Sequence, residues 1–134
     1  ILLKTVLRWL LASGMVFIGV LHFVDPAPFV KIVPPQLPAP RALVYLSGVA
    51  EVVLGVGLTI PRLRRWAGLG CIALYLAVFP ANLYQALAGV QFDPADPLPR
   101  AALYARLPFQ LVFIAWAWWV SRDSQEARVP SRDG

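Results

Sequence analysis

Four stretches of the chain are long, apolar and almost free of charge: Thr5 to Val24, Arg41 to Ile60, Trp66 to Leu87 and Tyr104 to Ser121. At about 1.5 Å of rise per residue, some twenty residues of helix cover the roughly 30 Å of a bilayer's hydrocarbon. Each stretch is therefore predicted to be a membrane-spanning helix. The connections are 25–40, 61–65 and 88–103, too short to hold another domain. Residues 1–121 thus read as one all-α unit, an integral membrane four-helix bundle running up-down-up-down, with a polar cytoplasmic tail at 122–134. Lys4 and Arg8 ahead of an apolar run would also suit a signal sequence. No small-residue cleavage site follows, and His22 comes instead, which favours a span.

Against this background the polar positions inside the spans carry the information. Glu51 sits at the middle of the second span, where a charge is expensive and an ionisable group marks a functional-site hypothesis. Ser47 lies four residues before it and Gly55 four after, so a polar, small stripe faces one way. In the third span Tyr75, Val78, Asn82 and Gln85 share a face, and in the fourth Arg106 and Gln110 are one turn apart. His22 closes the first. Counted from the ends of their own spans, His22 is expected about 3 Å deep, Asn82 and Gln110 about 8 to 9 Å, and Glu51 about 15 Å. The four helices then offer one polar group each to a funnel with Glu51 at its floor. Arg106 is expected to snorkel to the interface rather than turn inward.

The first connection is unusual. "HFVDPAPFVKIVPPQLPAP" (22–40) contains six prolines, too many to be expected to form helix, and Phe29, Ile32, Val33 and Leu37 are too apolar to stand in water. It is predicted to lie in the interface as a rigid cap over the funnel, shielding Phe29 and Ile32.

Composition agrees with the membrane reading, since 59% of residues are hydrophobic and 14% charged, against about half and a quarter in soluble domains. The net charge of +5 requires no nucleic acid. Lys4, Arg8, Arg62, Arg64, Arg65, Arg122, Arg128 and Arg132 fall on one side, and Lys31, Arg41, Arg100 and Arg106 on the other. The excess places both termini in the cytoplasm, with anionic lipid as neighbour. Trp9, Trp66, Trp118 and Trp119 then read as interfacial anchors. Small residues such as Gly19, Gly48, Gly55 and Gly68 are expected at helix contacts, and Pro80 should kink the third span. Cys71 is the single cysteine, so there is no intrachain disulfide and no CxxC pair. One histidine, one inward carboxylate and no thiolate pair make metal binding a weak reading, and no metal is expected.

Residues 19–84 resemble the DoxX-like family of small bacterial four-helix membrane proteins. The likeness is carried by His22-Phe23, Pro26 with Phe29, "IVPPQLP" (32–38), "LSGVAE" (46–51) and "FPANLY" (79–84), whose last residue, Tyr84, joins the site candidates. The resemblance implies a bacterial inner-membrane protein whose relatives include subunits associated with quinone-linked sulfur oxidation and redox-stress assemblies. Lacking a cysteine pair, this chain departs from direct thiol chemistry.

Two readings follow. In the first, the chain is a lipophile-binding subunit or partner of a membrane redox complex: the ligand is a quinone or lipid, Glu51 and His22 exchange protons with it, and Asn82 and Gln110 bond its carbonyls. The chain holds no cysteine cluster, haem-ligand pair or Gly-rich nucleotide loop, so it is not expected to be a self-sufficient enzyme. In the second, it is an accessory or assembly subunit among other membrane proteins, and the polar cluster only fixes packing. A transporter is a weaker third, because no internal repeat is visible.

Overall fold

The structure is a computed structural model that describes residues 2–91 and 95–122. Most of the predicted tail, from 123 onward, lies outside the described residues. The helices are α1 (Leu2–Val24), α2 (Ala27–Lys31), α3 (Pro40–Thr59), α4 (Arg64–Ala88) and α5 (Arg100–Val120). All except α2 are long and apolar enough to cross a membrane, which makes this a multi-pass membrane protein. α1 packs on α3, α3 on α4, α4 on α5 and α5 back on α1, closing a four-helix antiparallel bundle.

Helix ends differ from the hydropathy reading where polar first turns are involved. α5 begins at Arg100, four residues ahead of the apolar run. Pro99 takes its N-cap, at φ −64° and ψ 152°, and its missing N–H costs nothing there because the first turn has no intrahelical acceptor. α4 runs through Pro80 and stops at Gly89, whose φ of 67° turns the chain left-handed while its N–H bonds the Gln85 carbonyl.

The proline-rich segment corrects a prediction, because it does contain a helix. Pro26 is the N-cap of α2 and Pro28 lies in its first turn, the one place where proline removes no needed donor and its φ is already helical. After Lys31 the remaining prolines allow only turns before Ala39, at φ 50°, starts α3.

The bundle has two unlike halves. At the end where α3 meets α4, a core of Leu11, Ala12, Met15, Leu58, Ala67, Cys71, Tyr75, Ala117 and Val120 is closely packed. Arg8 was read as a topological charge, yet it is 9% exposed and its Nε donates to the Val120 carbonyl at 2.8 Å. It caps α5, as a cation at a helix C-terminus can. Trp116 Nε1 donates to Leu7 O at 3.1 Å, tying α1 to α5 at this end. Trp9, Trp66, Trp118 and Trp119 stand exposed here, as interfacial tryptophans do. The opposite end, where α1 and α4 stop and α3 and α5 begin, is called the mouth below; it holds the polar side chains.

Candidate functional site

The register of α1 against α3 sets the site. Gly19 and Gly48 let the two backbones close up: a Cβ on Gly19 would stand 2.9 Å from Gly48 O, and one on Gly48 would stand 2.7 Å from His22 Cβ. Phe23 stacks on Tyr45 with centroids 5.4 Å apart. The last turn of α1 is therefore level with residues 44–48, so α3 extends beyond α1 toward the mouth by about four or five residues, some 6 to 7 Å. His22 consequently lies deeper than its position in its own helix suggests. Counting depth from each span's own end misses this offset.

Side-chain direction completes the meeting of His22 and Glu51. In a helix the Cα–Cβ bond leans toward the N-terminus, so His22 leans away from the mouth and Glu51, on an antiparallel helix, leans toward it. Their Nδ1 and Oε2 are 3.4 Å apart. Nδ1 is also 2.7 Å from the Ile18 carbonyl, and only a donor can bond a carbonyl, so its hydrogen points there. Glu51 Oε2 is left buried with no hydrogen-bond partner. The contact is an electrostatic approach, and Nε2 is the lone-pair nitrogen of the neutral ring.

Above His22 lies the cap. Phe29 of α2 stacks on the imidazole with centroids 3.9 Å apart and planes 17° from parallel. Ile32 is 7% exposed. Below and beside them a cavity of about 750 Å³ opens among all four spanning helices. His22, Ser47, Glu51, Asn82, Arg106 and Gln110 supply its polar groups, and Phe29, Ile32 and Leu37 line it from the cap. Ser47 Oγ donates to Val44 O at 3.1 Å, which leaves its acceptor capacity to the cavity.

Two candidates are placed otherwise than expected. Tyr84 is half-buried but is not among the residues lining the cavity; it lies two residues beyond Asn82, which is about 200° around the helix. Arg106 does not snorkel. It is half-buried, lines the cavity, and its Nη1 donates to Gln85 Oε1 at 2.7 Å. Gln85 is itself 2% exposed and holds Val90 O through Nε2 at 3.3 Å, so a buried acceptor was waiting for the guanidinium. Because α5 starts early, Gln110 is about 15 Å along it rather than 8 to 9. That puts Gln110 in the same tier as Glu51, with Nε2 buried and unpartnered.

Beside Tyr75, whose face the sequence marks, stand two aromatic residues that the sequence analysis does not single out, Phe113 and Trp116. Tyr75, Phe113 and Trp116 line the cavity, with Tyr75 and Phe113 centroids 5.7 Å apart and Phe113 and Trp116 stacked at 6.0 Å. The signal was present: Arg106, Gln110 and Phe113 follow each other at helical spacing on α5. Cys71 is fully buried, 3.5 Å from Met15 Sδ. Among the described residues no group of three or more metal-ligating side chains occurs.

Residues 11–121 match a family described as a domain of unknown function, DUF8561. The chain belongs to the DUF8561 family. The matched region runs from the first core residue of α1 to the end of α5, so the cap, the polar tiers and every cavity-lining residue except Leu10 of this DUF8561 chain lie within it. No curated protein and no solved structure matches.

Proposed function

We propose that this chain binds a lipophile with a polar, carbonyl-bearing head, of the quinone type, in the cavity beneath the proline-rich cap, as a subunit or partner of a membrane redox complex. The observation that carries the reading is the pair of buried, unpartnered polar atoms, Glu51 Oε2 and Gln110 Nε2, in a cavity walled mostly by aliphatic and aromatic side chains. Polar groups that serve only to fix helix packing bond one another, as Arg106 and Gln85 do. Leaving a buried donor or acceptor unsatisfied costs about 1 to 3 kcal/mol, a cost that a ligand carbonyl on Gln110 and a ligand hydroxyl on Glu51 would remove. The volume lies inside the ~300 to 1,000 Å³ usual for small-molecule sites. A bound quinone would supply two-electron chemistry; the chain's own part is to hold the head, exclude water beneath the cap and exchange protons at Glu51 and His22. Electrons would come from a partner subunit. The DoxX-like resemblance of residues 19–84 supports the same ligand class and a bacterial inner membrane.

Titration of detergent-purified protein with a benzoquinone bearing a ten-carbon chain, followed by quenching of tryptophan fluorescence, tests the site. Gln110→Leu is expected to weaken binding about ten-fold with an unchanged melting temperature, the effect of about 1.4 kcal/mol. Equal affinity of the two proteins would remove Gln110 from the site, and no saturable quenching of the native protein would remove the site.

The eight-to-four split of basic residues in the sequence supports a cytoplasmic location for both termini. Cysteines introduced as Ser131→Cys and Ala95→Cys, each in a Cys71→Ala background, are expected to label from opposite faces of the membrane. Labelling of the Ser131→Cys protein by an impermeant reagent outside intact cells would invert the topology.

A further inference from the structure

The cavity has an opening in its side wall as well as a capped mouth. Leu10, Gly14 and Ile18 follow each other at intervals of four along α1 and line the cavity, yet all are exposed, Leu10 at 58% and Ile18 at 39%. On α5, the helix packed beside α1, Phe113 also lines the cavity and is 36% exposed. A side chain that touches both the inside of a cavity and the outside of the bundle stands at the edge of a gap. At Gly14 the gap is empty, for a Cβ built there would meet nothing within 4 Å. Gly19 and Gly55, by contrast, are filled by the neighbouring helix. The contacts that join α1 to α5 lie nearer the closed end: Arg8 to Val120, Trp116 to Leu7, and Lys4 over Trp119. From Leu10 to His22 the cavity follows α1 for about 18 Å, with its polar tiers toward the mouth and Leu10, Leu11, Leu74 and Trp116 at the other end.

We propose that the ligand enters from the bilayer, not from water, through the seam between α1 and α5 at Gly14. Its polar head lies between Glu51 and Gln110 and its hydrocarbon tail occupies the seam. The assignment rests on the lipophile reading of the cavity and adds the substrate class, a membrane-resident molecule with a flexible chain, and its route. The seam lies at hydrocarbon depth, where a tail crossing Leu10, Gly14, Ile18 and Phe113 exchanges one apolar surrounding for another, while the head leaves lipid for hydrogen-bonding partners. The cap need not move for loading. Phe29 on His22 and the buried Ile32 can stay in place and keep water from the head. A second seam between α3 and α4 is marked by Leu46, 67% exposed and also lining the cavity, with Ala77 and Pro80 lining and exposed on α4; it has no glycine among its lining residues, whereas the first has the open space at Gly14.

The test is a benzoquinone carrying a ten-carbon chain that ends in a diazirine, photolysed with the intact protein in lipid nanodiscs and mapped by mass spectrometry. Labelling that excess untagged quinone suppresses at least five-fold is expected on residues 10–18 and 109–113, and Gly14→Phe is expected to reduce it at least five-fold with no loss of melting temperature. Suppressible labelling on 33–37 would mean that the tail leaves through the mouth, and on Leu46 or Ala77 that it leaves between α3 and α4. Either result overturns the seam while keeping the cavity site. An undiminished signal in a folded Gly14→Phe protein also overturns the seam. Labelling that untagged quinone does not suppress overturns the ligand reading itself.

Discussion

Gly48→Leu is expected to destabilise the bundle by about 3 kcal/mol, the upper end of the range for overpacking a close-packed interior. The reason is local. A Cβ at this position would stand 2.7 Å from His22 Cβ, 2.9 Å from Phe23 Cε2 and 3.0 Å from the Gly19 carbonyl; the Phe23 ring can turn, but the carbonyl and a Cβ move only with their backbone. α1 would have to move off α3. In a membrane no hydrophobic force returns it, since lipid tails are as apolar as the helix surface, and close backbone approach is what holds such helices together. The same movement would separate His22 from Glu51 and lift Phe29 with it. Gly14→Leu is the matched control: it adds the same side chain into open space and gains up to about 1 kcal/mol of helix propensity. Thermal unfolding in detergent, followed by circular dichroism, should lower the melting temperature of the first variant and leave that of the second equal or raised. Equal losses at both positions would show that the α1–α3 contact does not limit stability.

Much of this architecture is legible in the sequence because the membrane imposes it. A backbone in hydrocarbon must satisfy its own hydrogen bonds, so twenty apolar residues can only be helix, and the predicted spans end within a few residues of α1, α3, α4 and α5. The convergence of His22, Glu51, Asn82 and Gln110 was readable for a related reason, since polar side chains in such helices turn toward the bundle interior. The parts not legible depend on relations between helices. No property of residue 22 alone reveals that α1 stops short of α3, and without that offset His22 looks superficial and out of reach of Glu51. Arg106 looked free to snorkel because Gln85, its partner, is 21 residues away on another helix. The helix in the proline-rich segment was missed for a different reason: the number of prolines was weighed and their placement was not. Pro26 and Pro28 occupy the cap and the first turn of α2, where the residue that breaks helices also starts them.

Substitution of Glu51 should separate a ligand site from a packing device. Glu51→Gln preserves size and the capacity to bond, and removes only the exchangeable carboxyl proton. Glu51→Leu removes both polarity and proton. If the side chain merely stabilises the meeting of α1, α3 and the cavity wall, the amide should serve nearly as well, at a cost of about 1 kcal/mol or less. The leucine alone would then lower the melting temperature, because it removes one partner of the His22–Glu51 approach and leaves the other. If Glu51 passes protons to a bound head group, the amide should retain binding within about two- to three-fold, losing at most a fraction of one hydrogen bond. Proton-coupled reduction of the bound quinone by an added dithiol or dithionite should meanwhile slow by about 100-fold, the scale of a lost positioned acid or base. The leucine should then lose affinity as well, about ten-fold. Tail-bearing quinone binding and its reduction rate, measured beside the melting temperature for all three proteins, read the two roles separately. Full reduction rate in Glu51→Gln would end the proton-transfer role of Glu51, and full affinity in a folded Glu51→Leu protein would end its role in the site.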